Sequence, residues 1–133
     1  MSIQWRQSYE IGLEEIDKQH RELFKKINDL LDACNDNKGR EEVNNTIRFL
    51  GDYVVTHFNA EEKLQEKYSY PEYKSHKASH DQFVKDFGDL KRRLEDEGPT
   101  LQFVALVNRV VVDWLIKHIG NSDKAFGAFL KDK

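Results

Sequence analysis

Apolar positions recur at steps of three and four residues along four stretches of the chain. The first carries Ile16, His20, Leu23, Phe24, Ile27, Leu30, Leu31 and Cys34, and the second Val43, Ile47, Leu50, Val54, His57, Glu61 and Leu64. The third runs Tyr73, His76, His80, Phe83, Phe87, Leu90 and Leu94, and the fourth Leu101, Val104, Val107, Val111, Trp114 and His118. This is the period of an α-helix that buries one narrow seam, with charged residues over the rest of its surface. Glycine and proline cluster between the stretches, in NDNKGR (35–40), YSYPEY (68–73), EDEGPT (95–100) and HIGNSD (118–123), which predicts turns there. No useful length alternates as a strand does, and no internal repeat is visible.

Four long helices joined by short loops must run antiparallel to their neighbours. The pattern therefore predicts an all-α protein: an up-down-up-down four-helix bundle forming one domain over residues 1–133. An N-terminal arm holding Trp5 and Tyr9 precedes it. A short C-terminal helix follows a break at Gly120, with Asp123 in its first turn.

Composition narrows the function classes. A third of the residues are charged, yet the net charge is only −3 and both signs are interspersed, so no basic stripe offers itself to nucleic acid. No apolar run reaches the length of a membrane span, and the N-terminus lacks the basic start and apolar block of a signal peptide. The expectation is a cytoplasmic protein, monomeric because no apolar patch stands out on its charged surface. The single cysteine, Cys34, cannot form an intramolecular disulfide and reads as a small apolar residue near a helix end.

The polar residues on the seams change the picture most. All five histidines, His20, His57, His76, His80 and His118, fall on apolar faces, and so does Glu61. An unpaired buried carboxylate costs several kcal/mol even after relaxation. In an up-down-up-down bundle, the start of the first helix, the end of the second, the start of the third and the end of the fourth share one end. The five imidazoles therefore converge there with Glu61, and Asp123, just past His118, folds back to the same place. A cation satisfies the nitrogens and the carboxylates together, and the two histidines of HKASH suit one metal on one helix face.

Seven ligands exceed the four that a tetrahedral zinc takes and suit two cations about 3.5–4 Å apart with carboxylates bridging them. Two octahedral metals offer twelve positions. Five histidines, two bridging carboxylates and one bridging oxygen fill eleven, leaving one open for a small ligand. Imidazole with carboxylate suits iron, while zinc, manganese and cobalt stay open on ligand type.

In order, His20, then HFNAE as H-x-x-x-E, HKASH as H-x-x-x-H and HIGNSD as H-x-x-x-x-D resemble the di-iron signature of the hemerythrin family. The IDKQH around His20, with Trp5 and Tyr9 before it, is similar to the bacterial branch. The resemblance covers essentially the whole chain. Myohemerythrin, the muscle relative, is itself an example of the up-down bundle, so agreement in fold is not an independent result.

The resemblance implies that His76, His80 and His118 hold one iron and that His20 and His57 hold the other, whose sixth position is free. Glu61 and Asp123 bridge the two, with an oxo or hydroxo bridge completing the pair. It also implies reversible binding of dioxygen, end-on at the open iron as a hydroperoxide, for storage or for delivery to a protein partner as yet unknown. Leu23, Phe24, Phe58, Trp114 and Ile119 lie within a helical turn of ligands, where a dry wall disfavours proton entry. Ile119, beside His118, is best placed for the access path.

Two rival classes remain. Oxygen-activating di-iron bundles commonly use four carboxylates and two histidines, whereas this chain has two carboxylates and five histidines. A binding protein is expected rather than an oxidase or peroxidase. A sensor module needs an output region for which the chain has no room.

Overall fold

The computed structural model describes residues 3–36 and 39–131, and these are almost wholly helical. Three α-helices form the first three rods: α1 (Glu14–Asn35), α2 (Arg40–Lys67) and α3 (Tyr73–Glu97). Each packs on the next, and α3 packs on a fourth rod that spans 101–131. The bundle is up-down-up-down, as the short connections require. The expected turn at 35–40 is described only in part, because 37–38 lie outside the described residues.

The chain ends its helices where local chemistry says it should. Asp17 in the first turn of α1 accepts hydrogen bonds from the backbone N–H groups of Ile11 (2.8 Å) and Gly12 (3.2 Å), tying the arm to the helix it precedes. Gly39 and Gly98 both sit at positive φ, +92° and +78°, a region that glycine enters without steric cost. The Gly98 N–H closes α3 on the Leu94 carbonyl at 2.8 Å. Thr100 then opens α4 (Leu101–Val107), its hydroxyl accepting from the Phe103 N–H at 3.1 Å, a side-chain N-cap.

The fourth rod departs from the expectation. The turn predicted at 118–123 is absent, and the backbone at His118, Ile119 and Lys124 is right-handed helical. The rod runs through α4, a π-helical segment Asn108–Asp113, α5 (Trp114–His118), a second π-helical segment Ile119–Asp123 and α6 (Lys124–Lys131). The short C-terminal helix exists as α6, but it continues the rod and Asp123 is the residue just before it.

The seam on this rod departs from the expectation at its start, whereas Val107, Val111 and His118 are buried as expected and Val104 and Trp114 are half-buried against the core. Leu101 is 89% exposed, while Phe103, Val107, Val111, Leu115, Ile119, Asp123 and Gly127 are all buried. These lie four residues apart throughout, with Val112, His118 and Phe126 buried beside them. In an ideal α-helix, each such step drifts about 40° round the axis, so the stripe would wind off the core. π-turns, which close i→i+5 bonds, under-wind the rod and hold the stripe inward.

The arm lies along α1. The Ile3 N–H and carbonyl exchange hydrogen bonds with the Asn28 side-chain amide, both at 2.8 Å. Trp5 packs edge-on against Phe24 at 5.2 Å and Tyr9 at 5.5 Å between ring centroids. Its far end fits closely on α6: a Cβ at Gly127 would collide with the Ile11 carbonyl oxygen.

Candidate metal centre

The six ligand-type residues on the expected seams and Asp123 meet at one end of the bundle, and all seven are buried. α1 brings His20. One face of α2 brings His57 and Glu61, and one face of α3 brings His76 and His80, each pair four residues apart. His118 and Asp123 are five apart on the fourth rod. In an α-helix five residues would leave them about 140° apart round the axis, and the wider turns of the second π segment reduce that offset.

The donor atoms fall into two overlapping groups, one of Glu61, His76, His80, His118 and Asp123, the other of His20, His57, Glu61 and Asp123. In the first, the His118 Nε2 lies 3.0 Å from both the His76 Nε2 and the His80 Nε2. Neighbouring ligands at about 2.1 Å from an octahedral metal stand about 3.0 Å apart, so both of these separations match the edge of an octahedron.

The carboxylates divide their oxygens between the groups. Glu61 Oε1 lies 2.7 Å from His76 Nε2 and 3.3 Å from His80 Nε2, and its Oε2 faces His57 Nε2 at 3.7 Å. Asp123 Oδ1 lies 2.9 Å from His76 Nε2 and 3.2 Å from His118 Nε2, and its Oδ2 lies 3.0 Å from His20 Nε2. Close as they are, none of these four oxygens is aligned to accept a hydrogen bond, and neither is His20 Nε2 matched to one. Buried polar atoms without hydrogen bonds are costly, and these lone pairs converge on shared points. A donor set of imidazoles and two-faced carboxylates fits a pair of cations.

Charge is tense here without a cation. Burial lowers His80 to about 4 and takes His57 well below its usual value, with the His20 ring adding to the effect. Burial raises Glu61 to about 7, helped by the charge of Asp123. His76 moves the other way, to about 9, because Asp123 and Glu61 beside its Nε2 outweigh burial. Asp123 stays well below the usual carboxylate range despite its burial, because the rings of His118, His20 and His76 surround it.

Outer contacts fix the rings, and sequence reading missed the residues that make them. His57 Nδ1 meets Gln19 Oε1 at 2.7 Å, His80 Nδ1 meets Glu62 Oε2 at 2.8 Å, His76 Nδ1 meets the Gln65 amide at 2.9 Å, and His118 Nδ1 lies 3.4 Å from Ser79 Oγ. Such partners select the tautomer whose Nε2 is free to bind a metal. Gln65 Oε1 is buried without a partner, and turning that amide over presents it to the His76 Nδ1–H. Each missed residue is one position, or one helical turn, from a ligand, which was the available signal.

The expected walls divide. Phe58 lies flat on His80, centroids 3.8 Å apart and planes 3° off parallel, and Trp114 stacks on His118 at 4.4 Å. Leu23, Phe24 and Ile119 are fully buried in the core, and Trp114 is half-buried. Trp5 of the arm stands 6.3 Å from the His20 ring.

A four-helix bundle whose two carboxylates each face two histidine groups defines a class of cation-binding proteins. Residues 11–130 match the model of the hemerythrin HHE cation binding domain. The chain is 36% identical over 115 residues to the bacteriohemerythrin of Methylococcus capsulatus, covering 86% of this chain and 85% of that one. It is 35% identical to a hemerythrin-like protein of Naegleria gruberi, over 95% and 92% of the two chains. The crystal structure of a wild-type hemerythrin superposes with a TM-score of 0.84 at 31% identity, covering 95% of each chain. The chain belongs to the hemerythrin family.

Proposed function

We propose that this protein binds dioxygen reversibly at a non-haem di-iron centre, for storage or delivery, and is not primarily an enzyme. The observation that carries the reading is the division of Glu61 and Asp123, each with one oxygen toward the His76–His80–His118 group and the other toward His20 and His57. His76, His80 and His118 would hold one iron and His20 with His57 the other. Glu61, Asp123 and a bridging oxo or hydroxo group would join them. Bound there, the iron pair would supply the two electrons that dioxygen takes up and returns.

The chain's own part is to position and to exclude. Three imidazoles and two carboxylate oxygens crowd one side, whereas two imidazoles and two oxygens serve the other, so a metal held by His20 and His57 would be left with room for a small ligand. Leu23 and Phe24, one turn along α1 from His20, and Phe58, Trp114 and Ile119 would keep water and acids away, a dry surrounding that disfavours proton transfer. Bacteriohemerythrins and a myohemerythrin of Theromyzon tessulatum, 30% identical over 122 residues, make dioxygen the first ligand to test.

The test is a visible spectrum of iron-loaded, anaerobically reduced protein before air, after air and after argon purging. Charge-transfer bands that appear with air and vanish with argon are the expected result. Irreversible conversion to a ferric spectrum would replace the carrier reading with oxidase or peroxidase chemistry. The accompanying proposal is a cytoplasmic monomer: sedimentation of the same sample tests the monomer, and fractionation of cells that make the protein tests the location.

A further inference from the structure

Among the described residues, one ligand imidazole has a carboxylate on its outer nitrogen. His80 Nδ1 meets Glu62 Oε2 at 2.8 Å, while His57 Nδ1 meets the neutral Gln19 Oε1 at 2.7 Å. The other outer contacts are an amide at His76 and a hydroxyl at His118, and His20 Nδ1 has no hydrogen-bond partner. The Glu62 side chain is only 12% exposed, and its other oxygen faces Lys77 at 3.9 Å. It is held in place and largely out of water.

A carboxylate that accepts a hydrogen bond from an imidazole makes that imidazole a stronger electron donor through its far nitrogen, whereas an amide oxygen does so weakly. The effect is larger where water is excluded, because charges there are poorly screened. The two halves of the centre therefore receive unequal support from the protein.

We propose that Glu62 and Gln19 are opposed positioning residues, the Glu62 carboxylate making the His76–His80–His118 side the tighter and more readily oxidised half, and the Gln19 amide leaving the His20–His57 side the weaker and more easily kept reduced. This rests on the two-metal centre proposed above. It adds that the asymmetry is set outside the ligands, by an acid on one helix neighbour and an amide on another. Gln19 also lines a surface cavity in which Lys18 and Lys26 are matched by Glu15 and Glu22, so a carboxylate there stays in reach of solvent without a net cationic surrounding.

The experiment uses the full chain in three forms: wild type, Glu62→Gln and Gln19→Glu. Cobalt(II) competition titrations against a chelator read each half without iron or oxygen, and spectroelectrochemistry of the iron-loaded forms reads the midpoint potential. The expected outcome is two cobalt-binding steps in the wild type. Glu62→Gln weakens the tighter step by about 10- to 100-fold and raises the potential, while Gln19→Glu tightens the weaker step and lowers the potential. Simple structural damage would move both variants the same way, and that result, or no shift in either, overturns the proposal while leaving the metal centre standing. A wild type that lacks two cobalt steps overturns the centre itself.

Discussion

Each imidazole at the centre has two nitrogens, and all but the His20 ring have the outer one hydrogen-bonded. The histidines turn Nε2 inward, and four of the five find a partner for Nδ1 among Gln19, Glu62, Gln65 and Ser79. The buried cluster was legible in the sequence because a histidine or glutamate on an apolar seam contradicts its neighbours, and Asp123 followed from its place just past His118. Their outer partners were not, since Gln19, Glu62 and Ser79 sit one position off the seam and look like ordinary surface polar residues until ring orientation is known. Ile119 makes the proposed dry wall testable at this scale. Ile119→Glu places an ionisable group in a fully buried site beside His118 and should shorten the lifetime of the oxygenated form about tenfold, with Ile119→Leu as the packing control. Equal lifetimes in the wild type and Ile119→Glu would remove Ile119 from the wall.

At the scale of the element, the fourth rod is where pattern reading fell short. Three and four residue steps through Leu101, Val104 and Trp114 suggested an ordinary helix followed by a turn at Gly120, but the buried stripe starts at Phe103 and keeps a step of four to Gly127. A period of four is neither helical nor extended in an ideal geometry, and Gly120 with Asn121 and Ser122 looks like loop chemistry. Tertiary contact decides the matter, because under-winding the rod keeps both the apolar stripe and Asp123 on the core side. The distinction has a measurable consequence. Gly120 is exposed, is not among the glycines at positive φ, and has open space for 4 Å around the point where a methyl group would stand. Gly120→Ala should therefore stabilise the metal-free protein by about 0.5–1 kcal/mol, read as a rise in thermal midpoint. A turn at Gly120 would give a loss instead. The first three rods, with their ends and their order, were legible because their seams follow the ordinary helical period and their ends carry Gly39, Gly98 and Thr100.

At the scale of the whole molecule, the centre links folding to pH and to metal. In the metal-free protein, between about pH 4.5 and 6.5, the unfolded chain holds protons on His57, His76 and His80, whereas the folded chain holds them on His76 and Glu61. The unfolded state then binds more protons, so stability rises with pH. Above 6.5 the unfolded histidines are neutral, while folded His76 keeps its proton toward 9 and Glu61 toward 7. The folded state now binds more, and stability falls with pH. Thermal melts of chelator-stripped protein should peak near pH 6.5. Metal binding requires deprotonated ligands and binds the folded state alone, so loading should raise the midpoint most at and above neutrality. A stripped protein with a pH-independent midpoint would contradict this coupling.

The candidate ligands come from four separate rods, and this would give the proposed centre a second use. Apolar cores accept many arrangements of roughly the right volume, so packing alone is a forgiving judge of how the rods are set against one another. Slipping one rod by a single residue moves its ligands about 1.5 Å along the axis, several times the tolerance of about 0.2 Å that metal–ligand distances allow. A metal pair held there would thus work as a vernier read across the bundle: only a chain whose four rods agree in register could close it, and a misassembled copy would be marked by its failure to load.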